Sequence, residues 1–411
     1  MLVWALTTAA WLVRLLILVG DGSLSAPITG DELQFHGLAS NLASGSGFTL
    51  DGSAVINRMP GYPVLLAGLY LVTGPSLVAA RLLNTVLGAL CVPLVYQLGK
   101  QLWGQRVGFG ASAVFAFDPF SMFWPQFLLS ENLQILLATL LAVLLVSSES
   151  RIFRAQLAGI VAALCILTHP GTLLVVVAAL LWYWFYGRNR RFPKRHFVFL
   201  VLSLLLLMSF WTVRNWTLTG RFVPLTAGVE ASGGGFVFWI SNNAVTAQPG
   251  ELWGRYVPFR EYSRLPDFPE YSSLPPNDPA LLDRKGYEYG FKFLTTQTGQ
   301  VPMLLLGKLL NFWEPEVMTH SGYHVVPLLG VIVLPLYLIG LIKHWRKSLQ
   351  TRLAVVYVAA ALAVALTFWG GARFRAPAEA FFVLCLTIGL VQIWTWVRQF
   401  RPSNQTHGSQ V

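Results

Sequence analysis

Long apolar runs separated by short polar gaps dominate the pattern of this chain. Runs of about 18 or more apolar residues recur, which is the length at which an α-helix crosses a hydrocarbon core of about 30 Å. The short alternating strands of an outer-membrane barrel would give a different pattern. The pattern therefore predicts an all-α polytopic membrane protein with about ten transmembrane helices. The predicted spans are 3–20, 76–99, 107–124, 127–146, 153–169, 171–187, 197–214, 323–342, 351–369 and 377–397.

The charges fall on two sides of these spans. Only 11% of the 411 residues are charged, 55% are hydrophobic, and the net charge is +11. Lys and Arg cluster in alternate gaps, which the positive-inside rule assigns to the cytoplasm together with the N-terminus. Nearly every Asp and Glu falls on the opposite side, with Glu149 as the exception. The excess of Lys and Arg therefore reflects the orientation of the protein in the membrane and an attraction to anionic lipids, and no nucleic-acid partner is expected.

Four segments follow from this map. Two of them are spanning modules, one is a long outer loop that could form a lid on the acceptor side, and one is a polar tail, expected to be disordered on the cytoplasmic side. Their bounds are 1–214 (with a first outer loop at 21–75), 215–301, 302–401 and 402–411. The apolar stretch 302–313 is too short to span comfortably, so we expect an interfacial or re-entrant helix on the outer side.

Two adjacent carboxylates, Asp31 and Glu32, follow directly on the first span. Thr29-x-x-Glu32 matches a capping box, which gives Glu32 a structural role. Apolar residues then recur at helical spacing and predict a short amphipathic helix on the outer leaflet, namely Phe35, Leu38 and Leu42. The helix dipole favours ionised Asp31, and an ionised carboxylate can accept a proton or bind a cation. Acidic groups beside a bilayer often mark a binding or transfer site.

Several arginines belong to the same outer side. Planar guanidinium groups suit a phosphate that gains charge in a transition state, although arginines near helix ends also reach for lipid head groups. The candidates are Arg58, Arg81, Arg214, Arg373 and Arg375. Glu131 begins the fourth span at its outer end, as a candidate second acid or a solvated helix-start acid. Arg14 lies mid-span, where an unpaired charge costs at least about 2.5 kcal/mol, so it should face the protein interior.

A metal site is a weaker possibility at the same place. His36 follows Glu32 by four residues and shares its helix face. Three further histidines lie near the outer side, namely His169, His320 and His324. Surface histidines of this kind are more often plain polar residues, so no cofactor is certain and a divalent metal on Glu32 and His36 stays open.

An ordered set of motifs extends over almost the whole chain. It comprises Arg14, Asp31-Glu32-x-x-Phe35-x-x-x-Ala39, Gly45-x-Gly47, Arg58-x-Pro-Gly-Tyr-Pro63, Ala80-Arg81-Leu82-Leu83-Asn84, Leu129-Ser130-Glu131-Asn132, Phe210-Trp-x-x-Arg214-Asn215 and Ala372-Arg373-Phe374-Arg375-x-Pro377. This set resembles the GT-C glycosyltransferases, in particular the bacterial dolichyl-phosphate-mannose protein mannosyltransferase-like proteins and the lipid A aminoarabinose transferases. Phe35 departs from the tyrosine usual in the family.

The resemblance implies a GT-C fold and a function. It implies inverting transfer of a hexosyl or pentosyl group from a polyprenyl-phosphate-linked donor to a lipid, glycan or protein acceptor. The expected location is the non-cytoplasmic side of a bacterial plasma (inner) membrane. By the same resemblance, Asp31 is the general base, and Glu32 and Glu131 are assisting acids. The residues expected to bind the lipid phosphate are Arg58, Arg81, Arg373 and Arg375.

Two alternatives stay open. A transporter or flippase of lipid-linked sugars would place polar groups near the bilayer midplane, often with internal repeats. Here the polar groups cluster at one interface and no repeat is visible, and Arg14 is the main feature that favours transport. A non-catalytic scaffold with the same fold is the third possibility, and the intact acids and arginines argue against it.

Overall fold

The structure is a computed structural model and describes residues 1–147, 151–189, 194–226, 234–275, 278–313, 316–319, 322–325 and 327–399. Several features named from the sequence lie outside the described residues. They are the predicted tail 402–411, Glu149, His320 and the side chain of His324.

Helices make up most of the described chain. They are α1 Leu2–Gly20, α2 Asp31–Ala43, α3 Gly61–Thr73, α4 Leu77–Trp103, α5 Gln105–Ala116, α6 Pro119–Phe123, α7 Glu131–Val146, α8 Ile152–Thr168, α9 Thr172–Asn189, α10 Lys194–Thr219, α11 Gly234–Ser241, α12 Phe268–Ser272, α13 Pro279–Thr296, α14 Val301–Trp313, α15 Pro327–Lys347, α16 Leu353–Thr367 and α17 Glu379–Gln399. Short 3₁₀ turns lie at Ser23–Ser25, Trp124–Gln126, Phe259–Arg264 and Ala372–Ala378. Two small antiparallel pairs join β1 Thr49–Leu50 to β2 Ser53–Ala54, and β3 Glu316–Thr319 to β4 Gly322–Val325.

The predicted multi-pass, all-α architecture is confirmed. Among the described residues, four segments are long and apolar enough to cross a membrane, by length and composition: α1, α4, α10 and Ala372–Gln399. The other predicted spans coincide with further helices. One span, 107–124, was predicted as continuous and is instead divided into α5 and α6. The reason is Asp118, whose carboxylate accepts the Ser121 N–H at 2.8 Å and so begins a new helix.

Both outer loops contain more structure than the sequence predicted. The first loop includes the apolar helix α3 and the strands β1 and β2. The second was expected to be a loop or lid over 215–301, and in the structure α10 continues to Thr219 and α11, α12 and α13 follow. These later helices enclose their own aromatic core of Phe236, Trp239, Tyr262 and Tyr289. Burial of these aromatic side chains gives this segment a hydrophobic core that is separate from the main core of the bundle.

Arg14 faces the protein interior, as predicted, and is 1% exposed. Its Nη1 donates to the carbonyl oxygens of Ala10 at 3.0 Å and Ala116 at 3.1 Å. Its Nη2 donates to Ser121 Oγ at 3.0 Å, and the Asp118 carboxyl acts on it electrostatically. A buried cation of this kind needs such partners. The residue that most favoured transport thus has a structural explanation.

Helix α14, predicted as interfacial or re-entrant, is attached to the bundle through a fully buried lysine. Lys308 Nζ donates to Asn242 Oδ1 at 2.8 Å and to the carbonyl oxygen of Leu366 at 3.0 Å. The Leu366 carbonyl belongs to the last turn of α16, where carbonyl groups lack helical partners. The Gly370 N–H also donates to the carbonyl of Gly254 at 2.7 Å. The outer helices are thereby fastened to the chain that leads into the turn Ala372–Ala378.

We expect Lys308→Met to reduce the free energy of unfolding by about 1–3 kcal/mol, because it leaves buried carbonyl and amide oxygens without a donor. The measurement is the shift of the thermal unfolding midpoint of the purified protein in detergent. Lys292→Met is the matched control, because Lys292 is an exposed lysine of the same outer segment that pairs with Asp267 at 2.9 Å. Its effect should stay below about 1 kcal/mol. Equal midpoints for Lys308→Met and the wild type would contradict the anchoring role.

Candidate active site

Helix α2 begins abruptly at Asp31. Gly30, with φ of +53°, precedes it in the left-handed region that glycine adopts readily. Only one half of the predicted capping box forms, because Glu32 Oε2 accepts the Thr29 N–H at 3.4 Å while the Thr29 hydroxyl makes no cap. Glu32 Oε1 accepts the N–H of Leu128 at 2.9 Å, and the residue is 5% exposed. Glu32 therefore ties the start of α2 to the segment before α7.

Asp31 lies between two guanidinium groups. Arg58 Nη2 is 2.7 Å from Asp31 Oδ1, and Arg373 Nη1 is 3.7 Å from Asp31 Oδ2. Arg58 is oriented by Gln34, whose Oε1 accepts its Nε–H at 2.6 Å, and by the ring of Phe35 at 5.6 Å. The Asp31 side chain is still 35% exposed. A carboxylate that is paired with arginines and open to an incoming molecule therefore stands at the centre of the site.

Arg373 also joins this site to Glu131. Its Nε donates to Glu131 Oε1 at 2.6 Å, so one guanidinium contacts two carboxyl groups. The Glu131 side chain is almost wholly buried, and its Oε2 has no hydrogen-bond partner within the described ranges. The ring of Trp124 lies 6.0 Å from the Arg373 guanidinium carbon. The structure thus brings together four residues that were named from the sequence, namely Asp31, Arg58, Glu131 and Arg373.

The charges around Asp31 determine its protonation. Burial alone would raise the pKa of the Asp31 carboxyl. The opposing charges of Arg58 and Arg373, together with the hydrogen bond from Arg58, outweigh burial and lower that pKa below its usual value. Asp31 is therefore an ionised carboxylate at neutral pH.

A histidine near this group was considered from the sequence only as a possible third metal ligand beside Glu32 and His36. His169 follows α8, and its Nδ1 accepts the N–H of Gly171 at 3.1 Å. Burial lowers the pKa of His169 to about 4, and the charges of Arg373 and Arg58 act in the same direction against the opposing effect of Asp31. The signal available in the sequence was the His169-Pro170-Gly171 break between two spans, on the side assigned to Asp31.

Two of the candidate arginines donate hydrogen bonds to backbone carbonyl groups and do not contact Asp31. Arg81 is fully buried and donates to the carbonyl oxygens of Gln126 at 2.9 Å and Leu24 at 3.1 Å. Arg214 donates to the carbonyl oxygens of Val55 at 2.6 Å and Phe48 at 3.2 Å. Both hold the first outer loop against the bundle. Phosphate binding by Arg81 stays a prediction.

Arg375 belongs to a different set of neighbours from Arg373. It is 4% exposed, and its guanidinium carbon lies 4.8 Å from the Phe120 ring and 5.6 Å from the Phe382 ring. The carboxyl groups that interact with it are those of Asp118 and Glu379. The structure does not bring Arg375 into the contacts of Asp31, and its phosphate role also stays a prediction.

The suggested metal pair is not assembled into a common site. His36 Nδ1 is hydrogen-bonded to the Tyr70 hydroxyl at 2.8 Å, while Glu32 accepts the two backbone N–H groups described above. In the part of the chain that the structure describes, no group of three or more His, Cys, Asp or Glu side chains is placed to hold a metal ion. Within the described residues Glu32 and His36 thus contact separate partners, and a divalent metal at this place stays a prediction.

Comparisons with known proteins bear on this arrangement. The family model described as dolichyl-phosphate-mannose-protein mannosyltransferase matches residues 57–216. That range includes Arg58, Arg81 and Glu131 and excludes Asp31 and Arg373. No curated protein sequence matches the chain.

Solved structures share the fold. The oligosaccharyltransferase of Archaeoglobus fulgidus, tethered to an acceptor peptide containing the NVT sequon, matches with TM-score 0.53 and 12% identity over 97% of this chain and 50% of that one. The same organism's archaeal oligosaccharyltransferase AglB, in complex with an inhibitory peptide and a dolichol-phosphate, matches with TM-score 0.50 and 10% identity over 100% and 52%. ArnT from Cupriavidus metallidurans, bound to undecaprenyl phosphate, gives TM-score 0.43 and 12% identity over 98% and 81%, a fit on which no argument rests.

This chain therefore spans about half the length of the oligosaccharyltransferases that it resembles in structure. At such low identity the likeness concerns the fold alone, while the family match concerns sequence over 57–216. Together they confirm the resemblance: the chain is a multi-pass membrane protein with the fold of the GT-C superfamily, and residues 57–216 match the dolichyl-phosphate-mannose-protein mannosyltransferase family.

Proposed function

We propose that this protein transfers a sugar from a polyprenyl-phosphate-linked donor to a lipid, glycan or protein acceptor, with inversion at the sugar carbon. The observation that carries the proposal is the group in which Arg58 and Arg373 enclose Asp31 while Arg373 also contacts Glu131. The family model and the oligosaccharyltransferase solved with a dolichol-phosphate support a lipid-phosphate donor. The hexosyl or pentosyl nature of the donor is part of the proposal.

Asp31 is the proposed general base. An acceptor hydroxyl attacks the sugar carbon from the face opposite the leaving phosphate, and Asp31 takes the hydroxyl proton as the new bond forms. A positioned carboxylate contributes about 10²–10⁴ in rate to such a step. The arginines make Asp31 a weak base while the site is empty. A phosphate that draws one guanidinium away would raise the pKa of Asp31 and strengthen it as a base.

Arg58 and Arg373 are the proposed phosphate ligands. The leaving phosphate gains negative charge as the glycosidic bond breaks, and planar guanidinium groups stabilise such charge. Each of the two is about one-fifth exposed, so each can turn toward a bound head group. Glu131 holds Arg373 at its other edge and acts as a positioning residue. Glu32 supports the helix that carries Asp31.

The proposed location is the non-cytoplasmic side of a bacterial plasma membrane. The distribution of Lys and Arg supports it, because Asp31 and Arg373 fall in gaps opposite the basic ones and Glu131 begins a helix at that same end. A lipid-linked donor would enter this site with its tail among the apolar helices and its head group at the interface.

Asp31→Asn should reduce sugar transfer by at least about 100-fold, because the amide cannot accept the hydroxyl proton. The measurement is transfer from a polyprenyl-phosphate sugar by the purified protein in lipid, with the thermal midpoint as a check on folding. Asp51→Asn, at an exposed acid of the same outer loop, should keep wild-type activity. A folded Asp31→Asn protein with full activity would remove Asp31 from the mechanism.

Arg373→Gln and Arg375→Gln should differ in their effect on sugar transfer. Arg373→Gln should lower transfer by about 10²–10³, because its charge serves the leaving phosphate, and should also lower the thermal midpoint, because the buried Glu131 carboxyl loses its cation. Arg375→Gln should chiefly lower the midpoint, since it leaves the buried Glu379 carboxyl without a cation and removes one of the two arginine charges that act on Asp118. The reverse pattern, with loss of transfer in Arg375→Gln alone, would show that the lipid phosphate binds at Arg375.

A further inference from the structure

The connection between α8 and α9 holds an imidazole in one orientation. A Cβ atom at Gly171 would lie 3.0 Å from His169 Nδ1 and 3.1 Å from its Cε1, so the chain passes close to the ring and a side chain at this position would require the ring to shift. On its other side the same Cβ position is 3.5 Å from Val364 Cγ1 of α16. The ring of His169 is therefore fixed against backbone and lacks the freedom of a surface histidine.

The same contact determines which nitrogen carries the proton. The Gly171 N–H can only donate, so His169 Nδ1 is the acceptor and the neutral imidazole carries its proton on Nε2. With its pKa held near 4, the ring is neutral at physiological pH. His169 is half-buried, no protein acceptor is found for its Nε2–H within the described parts of the chain, and Nε2 is not among the buried atoms that lack a partner, so this donor is accessible to a ligand. An oriented donor without an acceptor is suited to binding a ligand.

The His169 donor belongs to the same part of the structure as Arg58 and Arg373. A Cβ atom at Gly61 would lie 2.7 Å from Thr168 Oγ1 and 2.8 Å from the Leu167 carbonyl oxygen, so the end of α8 packs tightly on the start of α3, three residues after Arg58. The charged groups that act on His169 are Asp31 of α2, Arg58 of the turn before α3, and Arg373 of the turn before α17. The connection before α9 and helix α16 contribute the uncharged Gly171 and Val364.

We infer that His169 is a third ligand-binding residue of this site, whose Nε2–H donates to a phosphate oxygen of the lipid-linked donor held by Arg58 and Arg373. The inference rests on the proposed function, and it assigns a specific part of the donor to this residue. Two carboxylates and two guanidinium groups already balance in charge. A neutral donor adds a directed hydrogen bond without a third positive charge that would compete for Asp31.

The test measures binding of undecaprenyl phosphate to the full-length protein in lipid nanodiscs, with the neutral alcohol undecaprenol as the control for the tail. His169→Leu removes the donor, and we expect its affinity for undecaprenyl phosphate to fall about tenfold, as for a lost hydrogen bond to a charged group. His169→Gln keeps an N–H near the same place and should stay within about threefold of the wild type. Binding of undecaprenol should be the same in all three proteins.

A pH series gives a second readout that a structural role would not move. Bound phosphate raises the pKa of the imidazole, so His169 gains a proton between pH 7 and 5 in the complex and then binds the phosphate as a cation. Protonation of the phosphate itself affects both proteins equally, so the affinity of the wild type for undecaprenyl phosphate should rise relative to that of His169→Gln as the pH falls from 7 to 5. Asp31, Arg58 and Arg373 are unchanged in His169→Gln, so its weaker dependence on pH isolates the histidine. Thermal midpoints of both variants verify folding.

Folded His169→Leu with wild-type affinity for undecaprenyl phosphate overturns the inference. If that affinity is unchanged but KM for the sugar-bearing donor rises, the residue contacts the sugar, and the phosphate assignment is wrong. Failure of the wild type itself to bind undecaprenyl phosphate would instead count against the proposed function. The two failures are therefore distinguishable.

Discussion

The contact of one guanidinium with two carboxyl groups is the constraint on which the site depends. Asp31 at the start of α2 and Glu131 at the start of α7 both contact Arg373, which comes from the turn before the last helix. Without a cation between them, two carboxylates so close would repel each other. The turn must therefore be held in place, and the buried Lys308 and the Gly370 N–H attach the preceding chain to the outer helices.

Arg373 and Arg375 show how closely spaced residues acquire different environments. The turn Ala372–Ala378 is a 3₁₀ helix, with three residues per turn, so side chains two positions apart point in well-separated directions. Arg373 consequently contacts the acids of the site, while Arg375 lies between Phe120 and Phe382. The motif alone could not distinguish them, because an extended turn would have placed both on one face.

Two other buried arginines, Arg14 and Arg81, are stabilised by backbone carbonyl groups. Arg14 and Arg81 lie among apolar helices, and each donates to two backbone carbonyl oxygens, at least one of which comes from a segment distant in sequence. A guanidinium in a medium of low polarity requires such acceptors, because the alternative is an unpaired charge. The interior orientation of Arg14 was predictable from this cost, whereas its partners at Ala116 and Ser121 were not, since they lie about a hundred residues away in sequence.

The sequence by itself determined the spanning helices, the all-α class and the grouping of Asp31 with an outer-side set of charges. These properties depend on local apolar length and on charge between spans, which each segment carries independently of its neighbours. The tertiary structure alone decided that Arg58 and Arg373 meet Asp31, that His169 stands beside them, and that α11–α13 form an aromatic core. Such contacts join residues tens to hundreds of positions apart, and helix packing, which no local period encodes, brings them together.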